Sequence, residues 1–467
     1  MTWQTPCELP DLRGVGIVAI DTETNDPGLR ADRGSSWPWR DGYLCGISLA
    51  WREEGNIRAI YVPLRHPDTD NFDPARVYRW LGNLIASGVR FVTMNGIYDW
   101  AWLNVDGGVA MPAANQLEEV GAAAALIDEN QFSYSLNALC ARYGLPGKDE
   151  SLLREAVEAA GFAPRRKKLN IQSHIWQLPA RYVGPYAQAD AVNTLLLFEK
   201  LNPVLDQEKT RDAYRLDVDL LPMVLEMRRR GICIDQDAAE QARDQLLGKR
   251  DAALNELSSQ LGTAVSMAEI NSSKWKAKAF DAHQIAYPRT PKGNPSFAAG
   301  KSGWLAKHGH WLPRGIATAA KYDAAGTKFV EGHILNHIVN GRIHAEIHPY
   351  RASDGGTRSS RFAYSDPPLQ QMPSRDPELG PLIRSVFLPE VGEFWAKPDV
   401  AQQEFRLLVH YAVQHRLRGA QEAADAYRNN PDADFHNVVA EESNPCFSLE
   451  RGVTRTLADV HAGLQTE

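Results

Sequence analysis

Val15-Gly-Ile-Val-Ala-Ile-Asp-Thr22 is an apolar run that ends in an acid, and it reads as a buried strand. Outward from it lie CGISLAW (45–51) and IRAIYVPL (57–64), two further strands, then a helix over 75–87 and a strand over 89–94. Three strands, a helix and a fourth strand predict a mixed sheet with helices packed on it, an α/β fold. Residues 112–145 read as helical, with Gly144-Leu-Pro as the stop. Residues 181–200 read as a long amphipathic helix, with Asn202-Pro203 as a boundary.

The texture changes after about residue 205. Residues 206–262 read as long helices carrying three arginines at 228–230, and 340–400 as strand and loop rich in Gly, Pro and Ser. Helix returns over 402–430. Between these, residues 271–330 hold eight Lys and two Arg against two Asp, a local charge of +8 in a chain whose net charge is −7. A solvated face mixes both signs, so this bias favours a phosphate-rich partner.

The chain has 467 residues, 43% hydrophobic and 23% charged, which suits two to four globular domains. Its five Cys form no C-x-x-C pair, giving neither a zinc signature nor a disulfide framework, and this suggests a reducing, cytoplasmic setting. No apolar stretch is long enough to span a membrane, and the start does not read as a signal peptide. Twelve Trp and fifteen Tyr would suit base stacking, although core positions account for most such residues.

Three short motifs carry the chemistry. In Asp21-Thr22-Glu23, residues two apart on a strand face one side, so Asp21 and Glu23 can converge on a cation. In Asn95-Gly-Ile-Tyr-Asp99, Asn95 can cap a helix while Asp99 points into the same site. In Tyr186-Ala-Gln-Ala-Asp190 the spacing of four puts Tyr186 and Asp190 one turn apart on one helix face. Each motif alone fits an ordinary strand end, helix cap or amphipathic helix. Together they supply four carboxylates and a phenol, with no His or Cys ligand set. That donor chemistry suits two Mg²⁺ or Mn²⁺ ions. Two such ions, about 3.5–4 Å apart, can activate water against a phosphodiester.

This pattern over residues 10–200 resembles the DEDD superfamily of 3′→5′ exonucleases, in its Tyr-containing subgroup. The resemblance implies a ribonuclease-H-like domain. It implies metal binding by Asp21, Glu23, Asp99 and Asp190, and a Tyr186 that orients the attacking water.

The second half resembles family A DNA polymerases. Met227-Arg-Arg-Arg-Gly-Ile-Cys-Ile-Asp235 is similar to the segment that opens their polymerase region, and PRTPKGNPS (288–296) to their thumb tip. Thr357 to Arg375 (TRSSRFAYSDPPLQQMPSR) resembles T-x-x-G-R-x-S-S-x-x-P-N-L-Q-N-I-P, with Arg361 on the family Arg. It departs at Ser360, at Ala363-Tyr364 and at Pro368. Asp399-Val-Ala-Gln-Gln-Glu-Phe-Arg406 looks like D-Y-S-Q-I-E-L-R, with Asp399 expected at a strand end after Glu393-Phe-Trp and Pro398. The resemblance implies that Asp399 is one of two metal-binding catalytic Asp residues and that Glu404 screens against a 2′-OH. It implies that Asp434-Phe-His436 lies near the incoming nucleotide, and that Arg451 and Arg455 begin the helix that grips its triphosphate. Arg361, Gln370 and Arg406, with Lys274, Lys276 and Lys278 of the basic segment, would then contact DNA.

The expected layout is an exonuclease domain at 1–205, a mostly helical thumb at 206–345 and a partial α+β palm of a right-hand polymerase at 346–467. No residue after Arg455 matches the second catalytic Asp, so the polymerase half is expected to be the front of a split or truncated enzyme. The leading reading is a phage-like replicative DNA polymerase polypeptide with a proofreading exonuclease. Its partners would be primer–template DNA, a single-stranded 3′ end, dNTPs and a second polypeptide with the missing motifs. The competing readings are a stand-alone 3′→5′ DNA exonuclease, which keeps the thumb and partial palm as a platform, and a non-enzymatic DNA binder. The five intact residues of the first site argue against the last.

Overall fold

The computed structural model describes residues 3–162, 171–297, 304–353 and 355–432. They divide into two compact units, Met1–Glu390 and Val391–Glu467.

Strand β1 (Ile17–Asn25) is the middle of a five-stranded sheet of the first unit. β2 (Tyr43–Glu53) and β3 (Asn56–Pro63) extend it antiparallel on one side. β4 (Arg90–Thr93) and β5 (Leu117–Glu119) extend it parallel on the other, giving the order β3-β2-β1-β4-β5. This is the mixed sheet expected from the order of elements. Val18, Ala19 and Ile20 are all fully buried. A strand covered on both faces reads as a continuous apolar run rather than an alternation.

Helix α1 (Pro74–Ala86) leads into β4, and its cap is Asp73, whose carboxylate accepts the Ala75 N–H. α2 (Gly96–Gly107) leaves β4 at once. Residues 112–145 are not one helix: they contain β5, α3 (Val120–Ile127) and α4 (Leu136–Tyr143). Between the two helices, Asp128 accepts the Asn130 N–H and Ser135 caps α4 through the Ala138 N–H. Such local bonds compete with a continuous helix. Gly144 then stops α4 in the left-handed conformation, as its sequence context suggests.

After α5 (Ser151–Ala159), the long α6 (Ala180–Gln207) packs across β1, β2 and β3. Asn202-Pro203 is inside α6 rather than at its boundary. Leu201 and Leu205, fully buried on either side of Pro203, hold the helix together across the missing N–H.

α7 (Arg211–Asp219) and α8 (Leu221–Arg230) lead to β6 (Ile232–Ile234) and the 26-residue α9 (Gln236–Leu261). With α10 (Ser273–Ala282) and α11 (Trp311–Asp323), α9 encloses a separate core built on Leu257, Phe280, Leu312 and Ile316. β7 (Arg342–Ile343) and β10 (Phe387–Leu388) flank β6, and β8 (Glu346–His348) pairs with β9 (Ala363–Ser365).

Of the three consecutive arginines, Arg228 is 3% exposed. It donates to Ser35 Oγ at 2.8 Å, pairs with Glu346 at 2.6 Å and lies over the Trp37 ring. Burial opposes ionisation of Glu346, but Arg228 and Ser35 outweigh it and hold the carboxyl below its ordinary range. The second unit contains α12 (Gln403–Gln414) and α13 (Ala420–Asn429).

The turn from β4 into α2 differs in one detail from expectation. Asn95 stands at the N-cap position but makes no side-chain capping bond. The buried Glu119 carboxylate takes that role, accepting from the Gly96 N–H at 2.8 Å, Thr93 Oγ1 at 2.9 Å and the Gly121 N–H at 3.0 Å. A Cβ at Gly96 would meet Thr93 Oγ1 at 2.3 Å and Glu119 Oε2 at 3.1 Å. Gly96→Ala is therefore expected to cost about 1–3 kcal/mol through overpacking, read as a lower urea midpoint. An unchanged midpoint would contradict this reading of the turn.

Candidate functional site

β1 sets Asp21 opposite Ser48 and Glu23 opposite Gly46 on β2. Gly46 is required there, because a Cβ would meet the Tyr61 hydroxyl at 2.3 Å. Tyr61 in turn bonds His66 Nε2 at 2.7 Å, and His66 Nδ1 lies 2.7 Å from the Leu178 carbonyl at the approach to α6. Burial pulls the His66 pKa down to about 4, so the imidazole is neutral at neutral pH. α6 carries Tyr186 and Asp190 one turn apart, each 5% exposed.

Asp21, Glu23 and Asp190 each offer a carboxylate oxygen, and these oxygens lie within 4.8 Å of one another. Three of the four acids named from the sequence thus meet. Asp99, buried in the first turn of α2, lies outside that group. Its Oδ1 accepts from the Thr22 N–H at 3.0 Å and from Thr22 Oγ1 at 2.6 Å, which ties α2 to β1 between the two strand acids. Asp190 Oδ1 is buried without a hydrogen-bond partner. An orphaned carboxylate oxygen beside two further carboxylates fits a hard divalent cation. The three residues can hold a metal ion.

One site residue gave no sequence signal. Lys148, in the loop after α4, donates to Asp190 Oδ2 at 2.8 Å and to the Tyr186 hydroxyl at 2.9 Å. A lone Lys in a loop has no periodicity to betray it, and Gly147-Lys-Asp-Glu150 reads as a solvated turn. Its position comes from the fold: Asn193 Nδ2 on α6 donates to the Gly147 carbonyl at 2.7 Å and holds the loop against the helix.

The acids are charged only at a cost. Burial, followed by the neighbouring Asp190 charge, pushes Glu23 up to about 8. Burial pushes Asp99 up to about 7 against the pull of the Thr22 bonds. Asp21 and Asp190 are also raised, by burial first, while Lys148 opposes the rise in both and in Glu23. In the metal-free protein, Glu23 and Asp99 therefore keep protons that the unfolded chain has already lost. Folding stability is greater below the ordinary carboxylate range, near about 4, and falls as pH rises through about 7 and about 8. In EDTA, the wild-type melting temperature should drop across that window relative to a variant carrying Asp21→Asn and Glu23→Gln. A difference that stays constant with pH would contradict this.

A cleft of about 500 Å³ opens beside the acids, lined by Glu23, Asn95, Tyr98, Gln172, His348 and Tyr350 among others.

The residues named for the second half are more dispersed. Lys274 and Lys278 are exposed one turn apart on α10. Lys276 lies on the other side of that helix, 9% exposed and near the Phe297 ring, so the three do not form one surface row. Arg361 is exposed, and Gln370 Nε2 donates to the Phe362 carbonyl at 2.6 Å. Asp399 is exposed in irregular chain; among the described residues no strand precedes it after Leu388, because residues 393–398 have no sheet partner. Glu404 is exposed in the first turn of α12. Arg406 donates to the Ala401 and Pro431 carbonyls and lies over the Tyr427 ring. His436, Arg451 and Arg455 lie outside the described residues.

The fold is a mixed α/β architecture, and the comparisons refine that class. The structure resembles the polymerase domain of Pol1 from M. smegmatis, solved with DNA primer-template and dNTP. The TM-score is 0.60 at 17% identity, over 87% of this chain and 62% of that one. Residues 239–451 match the family model of DNA polymerase family A.

The chain is 31% identical to a DNA-directed DNA polymerase of Pseudomonas phage M6, over 94% of its own length and 66% of the relative's. It is 30% identical to DNA polymerase DpoZ of Salmonella phage PMBT28, over 92% and 66%. The chain thus spans just under two thirds of the length of these relatives. Among the described residues, no helix is long and apolar enough to cross a membrane.

Proposed function

We propose that this chain is a DNA polymerase polypeptide whose first domain removes nucleotides from a DNA 3′ end. The observation that carries the proposal is the meeting of Asp21, Glu23 and Asp190 within 4.8 Å of one another, with Tyr186 one turn from Asp190. Two divalent cations bound there would activate water and stabilise the leaving 3′ oxygen. Asp21, Glu23 and Asp190 would hold them, with Asp99 fixed close by through Thr22. The Tyr186 hydroxyl would orient the attacking water, and the neighbouring cleft would take the single-stranded end. Aromatic side chains in that cleft suit bases without selecting a sequence.

In this reading residues 1–205 are the exonuclease, 206–345 the thumb and 346–467 part of the palm. Lys274 and Lys278 face the duplex phosphates, and Asp399 and Glu404 belong to the nucleotide site. The second unit exposes Phe394, Val400, Leu408, Tyr411 and Leu417.

The test is digestion of 3′-labelled and 5′-labelled single-stranded DNA with Mg²⁺. Asp21→Ala with Glu23→Ala should lower the rate by at least about a thousandfold while the protein still folds, because metal and water activation are lost together. Digestion at the wild-type rate by the folded double variant would refute the site.

A further inference from the structure

Lys148 is placed where a metal ligand needs to be free. Its ammonium takes Asp190 Oδ2, and the same group holds the Tyr186 hydroxyl and lies 4.6 Å from the centre of that ring. The side chains of Lys148 and Asp190 are only 13% and 7% exposed, so the pair is shielded from water. Asp190 Oδ1, the other oxygen of the same carboxylate, has no hydrogen-bond partner among the described residues. The loop that carries Lys148 is anchored on α6 by Asn193, so the cation is held at the site rather than drifting over it.

Resting on the reading of Asp21, Glu23 and Asp190 as a metal site, we propose that Lys148 is a built-in counter-ion that occupies Asp190 and Tyr186 in the metal-free protein and competes with divalent cations for that carboxylate. The physical reason is charge balance. Ionised carboxylates crowded together without a cation repel one another, and one ammonium beside Asp190 offsets part of that repulsion. A divalent ion at the same carboxylate would meet the ammonium as a like charge at short range. A cation on the free Oδ1 is opposed by the ammonium on Oδ2, so in this proposal loading drives Lys148 off Asp190 and releases the Tyr186 hydroxyl. Lys148 is accordingly a positioning residue: it sets the concentration of metal at which the site assembles.

The experiment is Mn²⁺ binding to the full chain without DNA, followed by electron paramagnetic resonance at mildly alkaline pH. Lys148→Met removes the charge and keeps the length, and it should bind Mn²⁺ on the order of tenfold more tightly than wild type, since a neighbouring like charge is gone. Lys148→Arg keeps the charge and should bind like wild type. In EDTA the Met variant should melt below both. Lys148→Gln serves the same purpose should the Met variant fail to fold. Equal or weaker Mn²⁺ binding by a folded, uncharged variant overturns the competition. Failure of the wild type to bind Mn²⁺ at all overturns the metal-site reading, and this inference with it.

Discussion

Burial of carboxylates at the end of a central strand is the constraint on which the rest of this site depends. β1 brings Asp21 and Glu23 to the sheet's middle, where α6 packs across the strand, leaving Asp21 half-buried and Glu23 buried at the wall of the cleft. A buried carboxylate either finds counter-charge or stays protonated. The surroundings answer that demand in pieces. Thr22 gives Asp99 two hydrogen bonds, Lys148 gives Asp190 an ion pair, and one oxygen each from Asp21, Glu23 and Asp190 lies within 4.8 Å of the others. In the proposed reading a divalent charge would relieve repulsion among these acids that no hydrogen bond removes.

The scaffold that holds these groups is itself tied by buried polar contacts rather than by apolar packing alone. Glu119 joins the start of α2 to the start of α3, and the Tyr61–His66 pair links β3 to the approach of α6. Arg228 joins α8 to β8 and to the loop around Ser35. Removing one member of such a pair leaves the other buried and unpaired, so the geometry of the acids is sensitive to residues that never touch them.

The sequence made the sheet legible because β1 is buried on both faces and reads as a continuous apolar run, flanked by strands and a capped helix. The acids were legible for the same reason: D-x-E on a strand and Y-x-x-x-D on a helix encode which side chains share a face. Lys148 and Glu119 were not legible. Their roles come from tertiary approach, a loop folded against α6 and a short strand laid beside β4, and neither leaves a periodic mark. Pro203 misled because burial of Leu201 and Leu205 overrides a local helix-breaking signal. Lys276 misled because a count of charge along a segment takes no account of which face of α10 each residue occupies.

In this reading Asp21, Glu23 and Asp190 form a metal centre. Anomalous diffraction from a crystal of the chain soaked in Mn²⁺ tests it most directly. Two peaks about 3.5–4 Å apart are expected, one of them in contact with all three carboxylates and with Lys148 withdrawn from Asp190. Mn²⁺ bound elsewhere on the surface, with Lys148 still on Asp190 and no peak among the acids, would contradict it.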